Sequence, residues 1–364
     1  MNDTFGRNLR VSIFGESHGE CIGATLEGLP QGLVVNEDFI RLMLTRRRPA
    51  GVISTARREE DNFIIESGVC NGVTTGEALC IKIPNKDIRP KDYKSVEYKA
   101  RPSHADYVAH VRFGGGEGKS GGGHFSGRLT AALVAVGAIL VYALKNKGIE
   151  IGVHISRCAG VNDRAFDKAS LISDIKALQE SNFPVLDNDA AEKMREKIIA
   201  ARENNDSVGG ILEAAIVGLD AGVGEPWFDS LEGVLSHILF SIPAVKGVEF
   251  GAGFAIADML GSVANDELYT DGERVYTYTN NNGGINGGIS NSMPVVFRCA
   301  VKPTPTIARE QRTVDLKNMC NTTIIATGRH DPCIVHRAAV VVECASAIAL
   351  ADMLVSRYGE EWLK

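Results

Sequence analysis

Three short stretches of this chain bring together side chains that can move protons. Gly15-Glu16-Ser17-His18-Gly19 sets an imidazole in a tight turn beside a carboxylate. Arg101-Pro102-Ser103-His104-Ala105-Asp106 sets a second imidazole three residues after a guanidinium. Gly328-Arg329-His330-Asp331-Pro332 gathers a guanidinium, an imidazole and a carboxylate into one turn. An imidazole titrates near neutrality and can act as acid or base there. Around these stretches lie Arg46, Arg47, Arg48, Arg57, Arg58, Arg101, Arg128, Arg329 and Arg337, several of them in loops beside Gly or Pro. A single surface arginine is ordinarily just solvated. A set of them in tight loops suggests bidentate capture of carboxylate or phosphate. The plain alternatives are a helix cap for Asp331 and an exposed loop residue for His330. The residues alone therefore describe a polyanion pocket with two or three proton-transfer groups, and they do not name a reaction.

Two short motifs suggest other chemistries and lack the context those need. Gly15 to Gly19 matches G-x-S-x-G, which requires a strand before the serine and a helix after it. The residues after Gly19 are glycine-broken and strand-like, so a hydrolase using Ser17 is disfavoured. Gly114 to Ser120, GGGEGKS, nearly matches a phosphate-binding P-loop, but its first glycine would fall at Phe113 and three more glycines stand where the helix should start.

The elements that must position these groups centre on Phe113 to Leu144. Seven of the first eleven residues of that stretch are glycine. Such a loop can bring backbone N–H groups close to something flat or anionic. Ser126 or Gly127 then reads as a helix N-cap with Arg128 in the first turn. From Ala131 to Leu144 no side chain is charged or an amide, which predicts a helix buried on all sides and too short to span a bilayer. A loop feeding such a helix is a place to hold an anion. Strand, turn and strand are expected over 8–35, a helix from Asn36 stopped by Pro49, and strands at 63–69, 78–83, 149–156, 208–218, 245–254, 292–301 and 322–327. Asp229 to Phe240 reads as an amphipathic helix. Residues 280–288 form a second glycine-rich loop, and Asp331-Pro332 is a plausible cap and first-turn pair for a last helix ending near Tyr358. The charged residues 162–206 read as a solvated helical excursion from one domain spanning 1–364, with a helix at 170–180 and another at 189–204 that starts at Asp187 or Asn188. The pattern predicts an α+β fold with buried helices, antiparallel sheets and two similar halves.

With 364 residues, 44% of them hydrophobic and 23% charged, the chain has the balance of an ordinary globular protein. A net charge of −6 argues against general nucleic-acid binding, and no membrane association is expected. The eight cysteines form no CxxC and no zinc-type set with histidine, so no metal is expected. Their apolar settings suit a reducing compartment, and a cytoplasmic location is the expectation.

Taken together, the segments resemble those of the chorismate synthase family. The likeness rests on RVSIFGESHG, RRRP followed by ARRE, RPSHADY, SGRLTAALVAVGAI, SIPAVKGVEFGAGF, NGGINGGIS, VKPTPTI and GRHDPC, in the family's order over nearly the whole chain. The resemblance implies a sandwich of antiparallel sheets with helices between them. It also implies an anti 1,4-elimination of phosphate from 5-enolpyruvylshikimate 3-phosphate, the last shared step of the shikimate pathway. That reaction needs reduced FMN yet changes no net oxidation state. A homotetramer is implied as well, as is a separate flavin reductase using NADPH.

By the same resemblance His18 corresponds to the histidine that protonates departing phosphate. His104 corresponds to the one that protonates the reduced flavin, and Asp331 to the aspartate that assists C6 deprotonation. Cofactor contacts are implied at Arg47, His124, Phe125, Ser126, Pro243, Ala244, Gly287, Lys302, Pro303, Thr304, Pro305, Thr306 and Arg329. Substrate contacts are implied at Arg46, Arg48, Arg128 and Arg337. Two departures stand out. Many members carry Arg-Ser-Ser where this chain has His124-Phe125-Ser126, which predicts FMN binding that weakens as pH rises. Many also carry an arginine between RRRP and the next arginine pair, where this chain has AGVISTA and none.

Overall fold

The computed structural model describes residues 3–49, 51–55, 59–86, 98–114, 122–326 and 331–364. Two five-stranded antiparallel sheets enclose a layer of helices. In the first sheet the strands run in the order Thr4–Phe5, Arg10–Gly15, Cys21–Glu27, Leu79–Pro84, Ile64–Ser67. In the second the order is Val245–Phe250, Val295–Val301, Gly210–Val217, Glu150–Cys158, Val161–Asn162. The same chain path occurs twice. Two antiparallel strands lead to a short helix, then to an edge strand, then to a strand that inserts beside the second, then to a long buried helix. The short helices are Glu37–Arg47 and Leu231–Ser241; the long ones are Thr130–Asn146 and Val335–Tyr358. This is the α+β fold of two similar halves that the patterning predicts, in the sandwich form that the resemblance implies.

The two long helices pack against each other at the centre. Each is apolar around nearly its whole circumference because a sheet lies on one side and the other helix on the second. Gly137 makes the crossing close: a Cβ placed there would stand 2.6 Å from the Cβ of Cys344. By length and composition both segments could cross a membrane, but 83% and 89% of their most apolar windows are buried inside this fold. Two acids, Glu343 and Asp352, interrupt the last helix. Glu343 is buried and pairs at 2.8 Å with Arg46 of the helix Glu37–Arg47, tying the two halves together.

The segment between Val161 and Ser207 leaves the second sheet and returns as helices Leu171–Gln179 and Asn188–Glu203, the latter capped by Asp187 as its sequence suggests. It is anchored from beneath. His154, fully buried on the strand Glu150–Cys158, is bridged by Asp163 Oδ2 at 2.8 Å and Glu213 Oε2 at 2.9 Å. The Asp163 carboxylate also accepts the backbone N–H groups of Leu186 and Asp187.

Candidate active site

A cavity of about 890 Å³ opens between the first sheet, the start of both long helices and the helix Leu231–Ser241. That volume is near the upper end of the roughly 300–1,000 Å³ of small-molecule sites. Backbone strain gathers there. Nine non-glycine residues have positive φ among the described residues, and Asp61, Ser103 and Ala244 of that set line this cavity. Such conformations cost about 1–3 kcal/mol each and cluster at functional sites.

The start of the helix Thr130–Asn146 forms the cationic floor. Ser126 Oγ accepts the N–H of Arg128, the cap that the sequence suggests, and a single 3₁₀ turn over Gly127–Leu129 precedes the α-helix. Arg47 reaches this turn from the end of its own helix. Its Nε donates to Thr130 Oγ1 at 2.9 Å and its Nη2 to the carbonyl of Gly127 at 2.9 Å. Arg128 lies alongside, donating through Nε to Asn85 Oδ1 at 3.1 Å. Its Nη2 is buried with no hydrogen-bond partner among the described residues, although Glu59 Oε2 lies 4.0 Å away. A buried guanidinium nitrogen without a partner beside an open cavity suits an anionic ligand.

The turn that carries His18 is braced from two sides. The Ser17 N–H donates to the carbonyl of Gly123, and Asn85 Nδ2 donates to the carbonyls of Glu16 and Gly19 at 2.9 Å each. His18 lines the cavity, whereas Ser17 is only 1% exposed and the turn joins two strands. Both facts exclude a nucleophile elbow, which needs an exposed serine between a strand and a helix.

His104 sits across the cavity, with Nε2 2.5 Å from Thr306 Oγ1. Burial, and then the neighbouring Arg101 and Lys302, push its imidazole down to about 4, against a smaller opposing pull from Asp106. Arg101 in turn clasps Asp106 through Nε and Nη2 at 2.8 and 2.7 Å. That clasp outweighs burial and holds the Asp106 carboxyl below its usual range.

Asp331 does not cap the last helix. The helix begins at Val335, and the Asp331 carboxylate instead accepts the Thr55 N–H at 2.7 Å and Arg337 Nη1 at 2.7 Å. The pull of the Arg337 guanidinium, six residues further on, explains the difference. Arg337 Nε donates to the carbonyl of Arg47 at 2.9 Å, which fixes these groups to the cationic floor.

The cavity thus brings together His18, His104, Asp331, Arg47, Arg128, Arg337, His124, Phe125, Ser126, Pro243, Ala244, Lys302, Thr304, Pro305 and Thr306. It does not bring in Arg46, whose guanidinium is turned into the core against Glu343, nor Arg48. Consecutive helical residues point about 100° apart, so three adjacent arginines cannot serve one face. Pro303 is not in the wall, and Gly287 stands at the turn between Ile285–Asn286 and Ile289–Ser290, outside the cavity. Arg57, Arg58, Arg329, His330 and the glycines from 115 to 121 lie outside the described residues. Sequence patterning missed Asp3, Thr55, Glu59, Asp61 and His237, all of which line the cavity. Asp61 and Glu59 lie in the run EEDN, which reads as a plain charged loop.

The sequence profile of the family described as chorismate synthase matches residues 9–355. The chain belongs to the chorismate synthase family. It is 43% identical over 364 residues to a chorismate synthase of Aeropyrum pernix, covering 100% of this chain and 96% of that protein. It is 43% identical over 352 residues to one of Thermococcus gammatolerans, covering 97% of each. Among solved structures it resembles one described as a crystal structure of chorismate synthase. That likeness has a TM-score of 0.76 and 28% identity, over 97% of this chain and 93% of the other. Most of the residues transferred to this chain from the family's motifs therefore converge on a single cavity.

Proposed function

We propose that this protein is a lyase that eliminates phosphate from 5-enolpyruvylshikimate 3-phosphate to give chorismate, with reduced FMN as cofactor. The observation that carries the reading is the convergence of His18, His104 and Asp331 on one cavity floored by Arg47, Arg128 and Arg337. The substrate carries two carboxylates and a phosphate, and a cluster of fixed guanidiniums answers that charge. Arg337 holds substrate beside the Asp331 carboxylate, which assists removal of the proton at C6. His18 delivers a proton to the departing phosphate. Breaking the C–O bond and the C6–H bond leaves one new double bond and no net redox change. Reduced FMN, held by the wall of His124, Phe125, Ser126 and Lys302, would supply electron density to the site with no net redox change.

The wall formed by His124, Phe125, Ser126, Pro243, Ala244, Lys302 and Thr304 to Thr306 suits the flavin. His104 is neutral in the ligand-free site, and the arrival of anionic ligands favours its charged form. The protein works as a homotetramer in the cytoplasm, a reading supported by the large exposed side chains of Trp227, Phe228, Phe254 and Leu260. NADPH acts only indirectly, through a separate reductase.

The test is anaerobic phosphate release from 5-enolpyruvylshikimate 3-phosphate with and without dithionite-reduced FMN. Release together with chorismate absorbance, only when reduced FMN is present, is the expected result. Equal release without flavin, or none in either case, would sink the reading.

A further inference from the structure

Asp61 is 4% exposed and holds a backbone φ of 53°, a region where Asp and Asn are tolerated and bulkier residues are not. Its two carboxylate oxygens take different partners: Oδ2 accepts Arg47 Nη1 at 3.2 Å, and Oδ1 accepts Arg128 Nη1. All three side chains are nearly fully buried and all three line the cavity. We infer that Asp61 is a positioning residue, which clamps Arg47 and Arg128 side by side so that both guanidiniums face one ligand anion. The inference rests on the proposed reading that the ligand is a phosphate-bearing polyanion.

Two buried guanidiniums on one carboxylate repel each other, and the shared counter-ion offsets that repulsion. Each arginine is also tied elsewhere, Arg47 to Thr130 and Arg128 to Asn85, so Asp61 closes a frame rather than simply adding charge. Asn85 carries that frame on to the turn bearing His18. A clamp and a mere counter-charge make opposite predictions. If Asp61 only neutralised the pocket, removing its charge would tighten polyanion binding. If it clamps the arginines, removing its charge weakens binding.

The experiment is calorimetric titration of the FMN-loaded protein with 5-enolpyruvylshikimate 3-phosphate, and separately with inorganic phosphate. The variants are Asp61→Asn, which keeps the shape and the tolerated φ, Arg128→Gln, and the two combined. Asp61→Asn is expected to weaken substrate binding at least tenfold and to raise KM by a similar factor, with a smaller fall in kcat. Phosphate binding weakens in parallel. Unchanged or tighter binding by folded Asp61→Asn would overturn the inference. Should that variant fail to fold, the combined variant removes one charge of each sign and restores the balance. In the Arg128→Gln background the Asp61 change should cost less than threefold. A further tenfold loss there would give Asp61 a role apart from the arginine pair and overturn the clamp. Wild-type protein that binds phosphate but neither binds nor converts the substrate would sink the lyase reading instead, leaving the phosphate affinity of Asp61→Asn to decide on the clamp.

Discussion

His104 is half-buried and His154 fully buried, and their surroundings shift them in opposite directions. His104 stands in the cavity, where burial, Arg101 and Lys302 lower it to about 4 and Asp106, already clasped by Arg101, offsets only part of this. His154 lies under the helical excursion between two carboxylates. Burial alone would lower it, but its hydrogen bonds to the Asp163 and Glu213 carboxylates, and their charge, outweigh burial and raise it above its ordinary value. Where cations gather, an imidazole stays neutral until an anion arrives. Where carboxylates gather, the imidazolium is part of the structure. The first arrangement suits a site that meets a polyanion, and the second suits a fixed joint.

Replacing each histidine should separate the two roles most widely. His104→Ala is expected to lower turnover by about 10² to 10⁴, the usual weight of a general acid or base. It should leave the unfolding midpoint nearly unchanged. His154→Ala leaves Asp163 and Glu213 without the cation between them and should cost about 3–5 kcal/mol of stability. The surviving folded fraction should turn over normally. Chemical denaturation beside steady-state kinetics checks both, and a reversal of the two patterns would break the comparison.

The pH dependence of stability sharpens it. His154 is raised, so its contribution is complete below the unfolded value near 6.5 and is lost as pH rises through its folded value. Asp163 is lowered despite burial, through His154 and the N–H groups of Leu186 and Asp187. Its contribution is present above the unfolded value near 3.9 and is lost as pH falls through its folded value. His104 acts differently: its lowered value makes acidification from about 6.5 towards 4 destabilising. Denaturation midpoints measured from pH 4 to 9 should therefore fall on the alkaline side in the wild type and lose that fall in His154→Ala. The acid-side loss between 6.5 and 4 should shrink in His104→Ala.

A smaller effect is expected at His124. Its Nδ1 donates to the carbonyl of Gly15 at 3.0 Å, and its Nε2 stands 3.3 Å from Asp3 Oδ1. Both neighbours are acceptors, so Asp3 stands where it competes with a ligand phosphate for the ring. His124→Ala should weaken FMN binding a fewfold, and a fluorescence titration showing unchanged affinity would contradict this.

Much of the scaffold was legible because apolar periodicity depends on local spacing. The helix predicted from Ala131 spans Thr130–Asn146, and the excursion helix predicted from Asp187 or Asn188 begins where its cap requires. Strand pairing was less legible, since nothing local tells Leu79–Pro84 to insert between Cys21–Glu27 and Ile64–Ser67. Among site residues, those in glycine-rich motifs could be read, because few other functions explain such turns. Arg46 was misjudged as a substrate contact because adjacent helical positions face different ways. The signal that could have placed it was Glu343, an acid in the middle of an apolar helix that must find a buried cation. Asp61 was invisible because its partners come from residues 14 positions before it and 67 after.

The most direct measurement is a histidine NMR titration of the ligand-free protein, with each imidazole assigned by single replacement, repeated with substrate and oxidised FMN bound. The account predicts that His104 titrates near 4 in the free protein and moves upward when the anionic ligands bind, while His154 stays above 6.5 in both states. A His104 that titrates near 6.5 in the free protein, or that ignores the ligands, would contradict the assignment of this cavity as a cation-rich site awaiting a polyanion.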